Sequence, residues 1–231
     1  MRGPTVSGPR PDVPDLLGMT LGHRMMRADL HRLTAVVEAI AAGRTDCPNR
    51  RTAALVRWCR DLCDEIHHHH AAEDEIGWPV IAQYAGDSVD LAVLSDDHSA
   101  LDPMLDTVRV AATTFAQAPE DRRRDSAVEL AAGLARVRDE LDEHIEAEEA
   151  AIFPVVEKYV PAAEWARTEQ AARKSGPGAR YELTFSLPRI VSVATPEEYA
   201  RLRRTAGPVL TPILALVRPS FRRRERLVFG S

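Results

Sequence analysis

Two stretches of the chain place a histidine and a glutamate four residues apart. One is DEIHHHHAAEDEIGWP at 64–79, the other HIEAEEAAIFP at 144–154. On a helix this spacing puts both side chains on one face, about 6 Å apart along the axis. Imidazole with carboxylate suits iron, manganese or zinc and carries no preference for thiolate partners. Four histidines in a row also resemble a tag. The run is internal, lies in an apolar-periodic segment and has no linker around it, which argues against one.

The two stretches repeat each other. At an offset of 75 residues Asp64 falls on Asp139, Glu65 on Glu140, His69 on His144, Ala72 on Ala147 and Glu73 on Glu148. Pro79, Val80 and Tyr84 fall on Pro154, Val155 and Tyr159, giving eight identities in 21 ungapped positions. The same offset sets His23 on His98 and Leu30 on Leu105. Each half thus carries a histidine and, 46 positions later, the start of a His-x-x-x-Glu. A single buried histidine is more often a hydrogen-bonded core residue, and one such pair more often lies on a surface. Neither reading explains six metal-type residues that keep identity and spacing, because a packing repeat would preserve apolar residues first. His23, His69, Glu73, His98, His144 and Glu148 are therefore the candidate ligands of a dinuclear site, with each glutamate able to bridge.

The symmetry also selects within the histidine run. His67, His68 and His70 fall on Asp142, Glu143 and Ile145, so His69 rather than His70 is expected at the metal. His67 lies about 200° around the helix from His69 and is expected to face solvent. Glu65 and Glu140 each sit one turn before a ligand histidine. They are candidates to accept a hydrogen bond from another histidine's free N–H, or else solvated carboxylates at the bundle's end.

Long runs rich in Ala, Leu, Glu and Arg, without Gly or Pro, must position these residues, and they favour helices. Helices are expected over about 20–42, 48–84, 89–116 and 119–159, with Gly43 as a stop and prolines 79 and 103 as bends. Four long helices with short connections pack as an up-down-up-down bundle, so the fold class is all-α. Residues 1–15, rich in Pro and Gly, are expected to be disordered. The bundle occupies 16–160. Residues 161–231 form a short-helical extension packed on it, with segments near 162–174, 182–193, 196–206 and 207–217.

The net charge of −5 is unevenly placed. From Lys174 onward there are 11 basic and 4 acidic residues, a net of +7, which leaves 19 and 31 in the first 173, a net of −12. Basic residues alone give only sequence-independent attraction. The tail, with Arg222, Arg223 and Arg224, is expected to pair with the acidic body, and nucleic acid is not an expected partner. Cys47, Cys59 and Cys63 form no CxxC pair and read as buried thiols. No signal peptide or membrane span appears, which points to the cytoplasm. A homodimer is an open expectation.

With the histidines at 23 and 98 and the motifs at 67–79 and 144–154, residues 20–160 resemble the hemerythrin-like (HHE cation-binding) family. The resemblance implies a four-helix bundle holding two oxo- or hydroxo-bridged iron ions, ahead of manganese or zinc. It also implies a reaction with dioxygen, hydrogen peroxide or nitric oxide. Oxygen-carrying hemerythrins have a fifth histidine one turn after the third-helix ligand, where this chain has Asp102. A weak ligand, a hydrogen-bond acceptor behind a ligand and a surface charge are all open for Asp102. Four histidines and two bridging glutamates leave more replaceable positions than oxygen carriage wants, which favours catalase- or peroxidase-like turnover with no catalytic group beyond the ligands. The alternatives are a non-catalytic oxygen or redox sensor signalling through the extension, and an oxygenase acting on an organic substrate.

Overall fold

The computed structural model describes residues 13–230, so residues 1–12 of the segment expected to be disordered lie outside the described residues. Four helical spans make the bundle. They are α1 (Leu17–Ala41), α2 (Asn49–Ala72) continued through a π turn (Glu73–Gly77) into α3 (Trp78–Ala85), α4 (Leu91–Gln117) and α5 (Arg123–Tyr159). Sequence accounts for the boundaries. Gly43 takes a positive φ of 67° just past α1, where a β-carbon would be strained. The Asp90 carboxylate caps α4 by accepting from Ala92 N–H at 3.2 Å. Pro79 does not break its helix; the chain meets it through the π turn, which reaches from Glu73 to Gly77. Pro103 and Pro154 lie inside α4 and α5, which run on through them.

Two apolar layers flank one polar level. The larger is built from Met25, Leu30, Leu33, Leu55, Ile66, Leu101, Leu105, Leu134 and Leu141 with their neighbours. The smaller, at the other end, joins Leu16, Trp78, Ile81, Leu94, Ile152, Val156 and Trp165. Both arise from helical periodicity, since each helix contributes apolar residues three and four apart to the interior. Between the layers the same faces present histidines and glutamates. Apolar packing above and below therefore fixes their height and limits water.

The remaining helices are α6 (Ala162–Ser175), α7 (Ala179–Tyr181), a second π turn (Glu182–Ser186), α8 (Leu187–Val193), α9 (Pro196–Ala206) and α10 (Leu210–Phe229). The last is one continuous helix that passes through Pro219 and includes the basic end, where the sequence pattern suggested a break near 217. Repeat symmetry suggests direct pairing of the first helix with the second and the third with the fourth. The structure pairs α1 with α5, α4 with α5 and α2 with α4, while α8 and α10 fill the seam between α1 and α2. Phe185 and Phe221 enter the larger apolar layer there, against Trp58.

Charge follows the same seam. Arg224 pairs with Asp61, Arg32 with Glu225 at 2.9 Å and Arg24 with Glu198 at 2.7 Å. Arg201 pairs with Asp15 at 2.6 Å. Arg222 and Arg223 stay exposed. Arg189, only 1% exposed, joins the helices most directly. Its Nε donates to Asp29 of α1 at 2.5 Å and its Nη1 to Glu65 of α2. Asp29 also accepts from Trp58 Nε1–H at 3.0 Å. All three cysteines are buried and unpaired. No described helix is long and apolar enough to cross a membrane.

Candidate metal centre

Each polar residue of the middle level comes from a helix held on both sides by apolar packing. His23 comes from α1, His69 and His70 from α2 and Glu73 from the π turn. His98 comes from α4, and His144 and Glu148 from α5. They fall into two donor groups. His23, His69 and Glu73 offer atoms all within 4.8 Å of one another, and so do His70, His98 and His144. In the first group the Nε2 atoms of His23 and His69 stand 2.8 Å apart, and His69 Nε2 lies 3.0 Å from Glu73 Oε1.

The carboxylates lie between the groups. Glu73 Oε1 is 3.7 Å from His23 Nε2, while its Oε2 is 3.7 Å from His98 Nε2. Glu148 Oε2 is 3.7 Å from His23 Nε2 and 3.5 Å from His144 Nε2. Each glutamate therefore reaches a histidine of both groups. Donors bound about 2.1 Å from one cation stand about 3–4 Å from one another, which is the range of these separations.

The electrostatics also favour cations. Burial opposes a charge on His23, but the Glu149 hydrogen bond and the Glu73 and Glu148 carboxylates outweigh it and raise its pKa to about 10. Burial likewise opposes the Glu73 charge, yet His69 and His23 hold it well below the ordinary carboxylate range. Burial and the nearby Glu73 push Glu148 well above that range. Burial, with the neighbouring histidines, lowers His70 well below and His144 below the ordinary imidazole value. Two carboxylates confined this closely attract positive charge, and metal uptake by such a set releases protons.

The two halves of the repeat support each other crosswise. Asp74 Oδ2 stands 3.0 Å from His98 Nδ1, and Glu149 Oε1 stands 2.9 Å from His23 Nδ1. With Nδ1–H donating to these carboxylates, each Nε2 keeps its lone pair toward the cage. Trp78 stacks on His98 at 6.1 Å between centroids and Phe153 on His23 at 6.4 Å. Asp74 and Glu149 are equivalent at the 75-residue offset, and so are Trp78 and Phe153.

All six residues singled out by the repeat meet at this level. The three carboxylates for which a place behind a histidine is one open reading do not hydrogen-bond to a cage histidine. Glu65 turns to Ser186 and Arg189 in the α1–α2 seam. Glu140 is exposed. The Asp102 side chain lies at the surface, 47% exposed, with Oδ1 2.7 Å from His67 Nδ1, which makes it a surface hydrogen-bond partner. The carboxylates that stand behind His98 and His23 are Asp74 and Glu149. They escape a search for identities because one half uses Asp and the other Glu. A search for acidic residues directly after Glu73 and Glu148 would have found them. Asp97, 3.6 Å from His144 Nδ1, is a weaker neighbour. His70, disfavoured for want of a histidine mate, is buried inside the second donor group.

The cage fits a cation by a further observation. Both oxygens of Glu73 and of Glu148, Nε2 of His98 and both ring nitrogens of His144 are buried without a hydrogen-bond partner. Unpaired buried polar atoms are costly, and so many at one level call for a shared partner. Neither the curated proteins nor the solved structures yield a match to the chain. A family model, the Hemerythrin HHE cation binding domain, matches residues 18–156, a span that begins before His23 and closes after Glu148. With that match over more than half its length, and with imidazole and carboxylate donors gathered in the bundle it covers, the chain belongs to the hemerythrin HHE cation-binding domain family.

Proposed function

We propose that the chain is a diiron protein that handles a small oxidant, hydrogen peroxide foremost, with dioxygen and nitric oxide as related ligands. In this reading His23, His69, His98 and His144 would hold two iron ions, with Glu73 and Glu148 placed to be shared between them. The observation that carries it is the pair of donor groups sharing two carboxylates. Bound iron would supply the one-electron steps that reduce or disproportionate an oxidant.

The protein's own groups do the rest. Asp74 and Glu149 orient His98 and His23. The small apolar layer of Trp78, Ile81, Leu94 and Ile152 excludes bulk water from one side. A cavity of about 350 Å³ lined by Thr20, His23, Arg24, Arg27, His31 and Glu149 opens from the surface onto the His23 ring. That volume admits peroxide or dioxygen easily.

A sensor is the second reading, favoured by one contact. Arg189 of the extension grips Glu65, one turn before His69 on the same helix. A change at His69 has a short route to the extension.

Metal analysis with an optical spectrum of aerobically purified protein, followed by one addition of peroxide, tests the proposal. Two irons per chain, a near-ultraviolet oxo-to-iron band and oxygen release are expected. A stable adduct without turnover selects the sensor. Zinc alone, or no metal together with failure to take up ferrous iron, rejects the diiron reading.

A further inference from the structure

We propose that His70 is a fifth histidine donor, so that the two halves of the centre are unequal: His23 and His69 on one side, His70, His98 and His144 on the other. This rests on the dinuclear reading above.

His70 is 3% exposed, and neither of its ring nitrogens has a hydrogen-bond partner. Burying a neutral imidazole with neither nitrogen hydrogen-bonded is costly, because each group loses its water without a replacement. Packing gives no reason to accept that cost. The equivalent residue of the other half is Ile145, 1% exposed, which fills the same kind of position with no polar atom. The ring of His70 instead stacks on His98, 4.2 Å between centroids and 4° from parallel, and meets His144 edge-on at 5.2 Å. One nitrogen from each of these three rings lies within 4.8 Å of the others.

Helix geometry explains why neighbours serve different halves. Successive residues turn by about 100°, so His69 and His70 leave α2 toward opposite sides of Glu73. The third helix gives its half of the site no second histidine, since Asp102 turns outward to His67. The second helix supplies one instead. The replaceable positions then gather on the His23–His69 side, where the cavity opens.

The test uses the full chain and its His70→Ile, His70→Ala and His67→Ala variants. Each is loaded anaerobically with ferrous iron and desalted. Iron per chain and the imidazole count per metal, from X-ray absorption, are then read. Losing a ligand should weaken binding by more than the roughly 10–100-fold typical of a residue that only supports one. Both His70 variants should therefore leave the column with at least one iron fewer than wild type and His67→Ala. Loss of both irons from either variant, with the helical signal kept, also supports the proposal because the glutamates are shared. Metal-free His70→Ile should melt no lower than wild type, since it removes an unpaired polar group; a histidine kept for packing predicts a lower melt and unchanged iron. Two tightly held irons in both variants, with the wild-type imidazole count, would overturn His70 and leave the diiron reading standing. A wild-type chain that takes up no iron would end both.

Discussion

Residues 58 and 133 occupy the same place in the two halves of the repeat, yet one is Trp and the other Gly. Trp58 is fully buried against Phe185, Phe221 and Phe229 of the extension and donates to Asp29. A β-carbon on Gly133 would already stand 3.2 Å from Val108 Cγ2, so α4 and α5 approach closely there. Other pairs differ in the same sense. Asp29 and Glu65 bind Arg189, whereas their counterparts Met104 and Glu140 bind nothing equivalent. The first half is opened at α1–α2 to receive the extension, and the second closes on itself. A repeat can thus keep a metal level nearly symmetric while its outer faces diverge, because the ligands need only a shared height and register.

The largest effect expected from breaking this difference is at Arg189. Arg189→Ala leaves Glu65 without its cation and Asp29 with Arg32, 3.7 Å away, as its remaining one, both beside a buried gap, and removing one partner of such a cluster costs about 3–5 kcal/mol. The same truncation of exposed Arg136, on the closed half, should stay within about 0.5 kcal/mol. Urea unfolding of both variants checks the contrast; equal losses would mean that the extension contributes little to holding the first half. Next in size is Gly133→Leu. It forces α4 and α5 apart and should cost about 1–3 kcal/mol, read as a lower urea midpoint without a change of slope.

Much of this was legible in the sequence. Helical periodicity and a few breakers located the four bundle helices, and the repeat brought the six donors to one level. What escaped detection has physical causes. His70, which symmetry sets aside because it assumes equivalent halves, lies buried beside His98 and His144, and positions 70 and 145 break that equivalence. Glu65 sits one turn before His69, but that turn rotates it by about 40°. It meets Arg189, a residue 124 positions away whose approach no local pattern announces. Asp102 lies one turn after His98 by spacing, yet the exposed His67 draws it outward.

The crosswise support sharpens the comparison at the metal level itself. Asp74→Asn should weaken the cation beside His98, and Glu149→Gln the one beside His23, each by about 10–100-fold. Each mutation lies in one half and acts on the histidine of the other. Chelator competition on each variant, followed by spectroscopy of the half-loaded protein, would show which ion leaves first. If both variants release the same ion, the crosswise pairing has no energetic consequence.

The smallest effect expected is at the bundle's apolar end. Glu169 of α6 sits over Gly18 of α1, with Oε1 2.6 Å from where a β-carbon would stand; the equivalent residue of the second half is Val93, 54% exposed. Burial, countered by Arg173 and reinforced by Asp15, raises the Glu169 carboxyl to about 7. A carboxyl raised in the folded chain favours its neutral form. Its contribution is therefore complete below the unfolded value near 4.5 and is lost as pH rises through about 7. With allowance for the side chain's partial exposure, about 1 kcal/mol is at stake, or about 2–4 °C in a chain of this size. Glu169→Gln should melt like wild type at pH 5 and a few degrees higher at pH 8. A Val93→Gln control, on the face no extension covers, should show no such divergence. If Glu169→Gln tracks wild type at both pH values, the carboxyl is already solvated, and α6 rests on α1 by the packing of Trp165 and Leu16 alone.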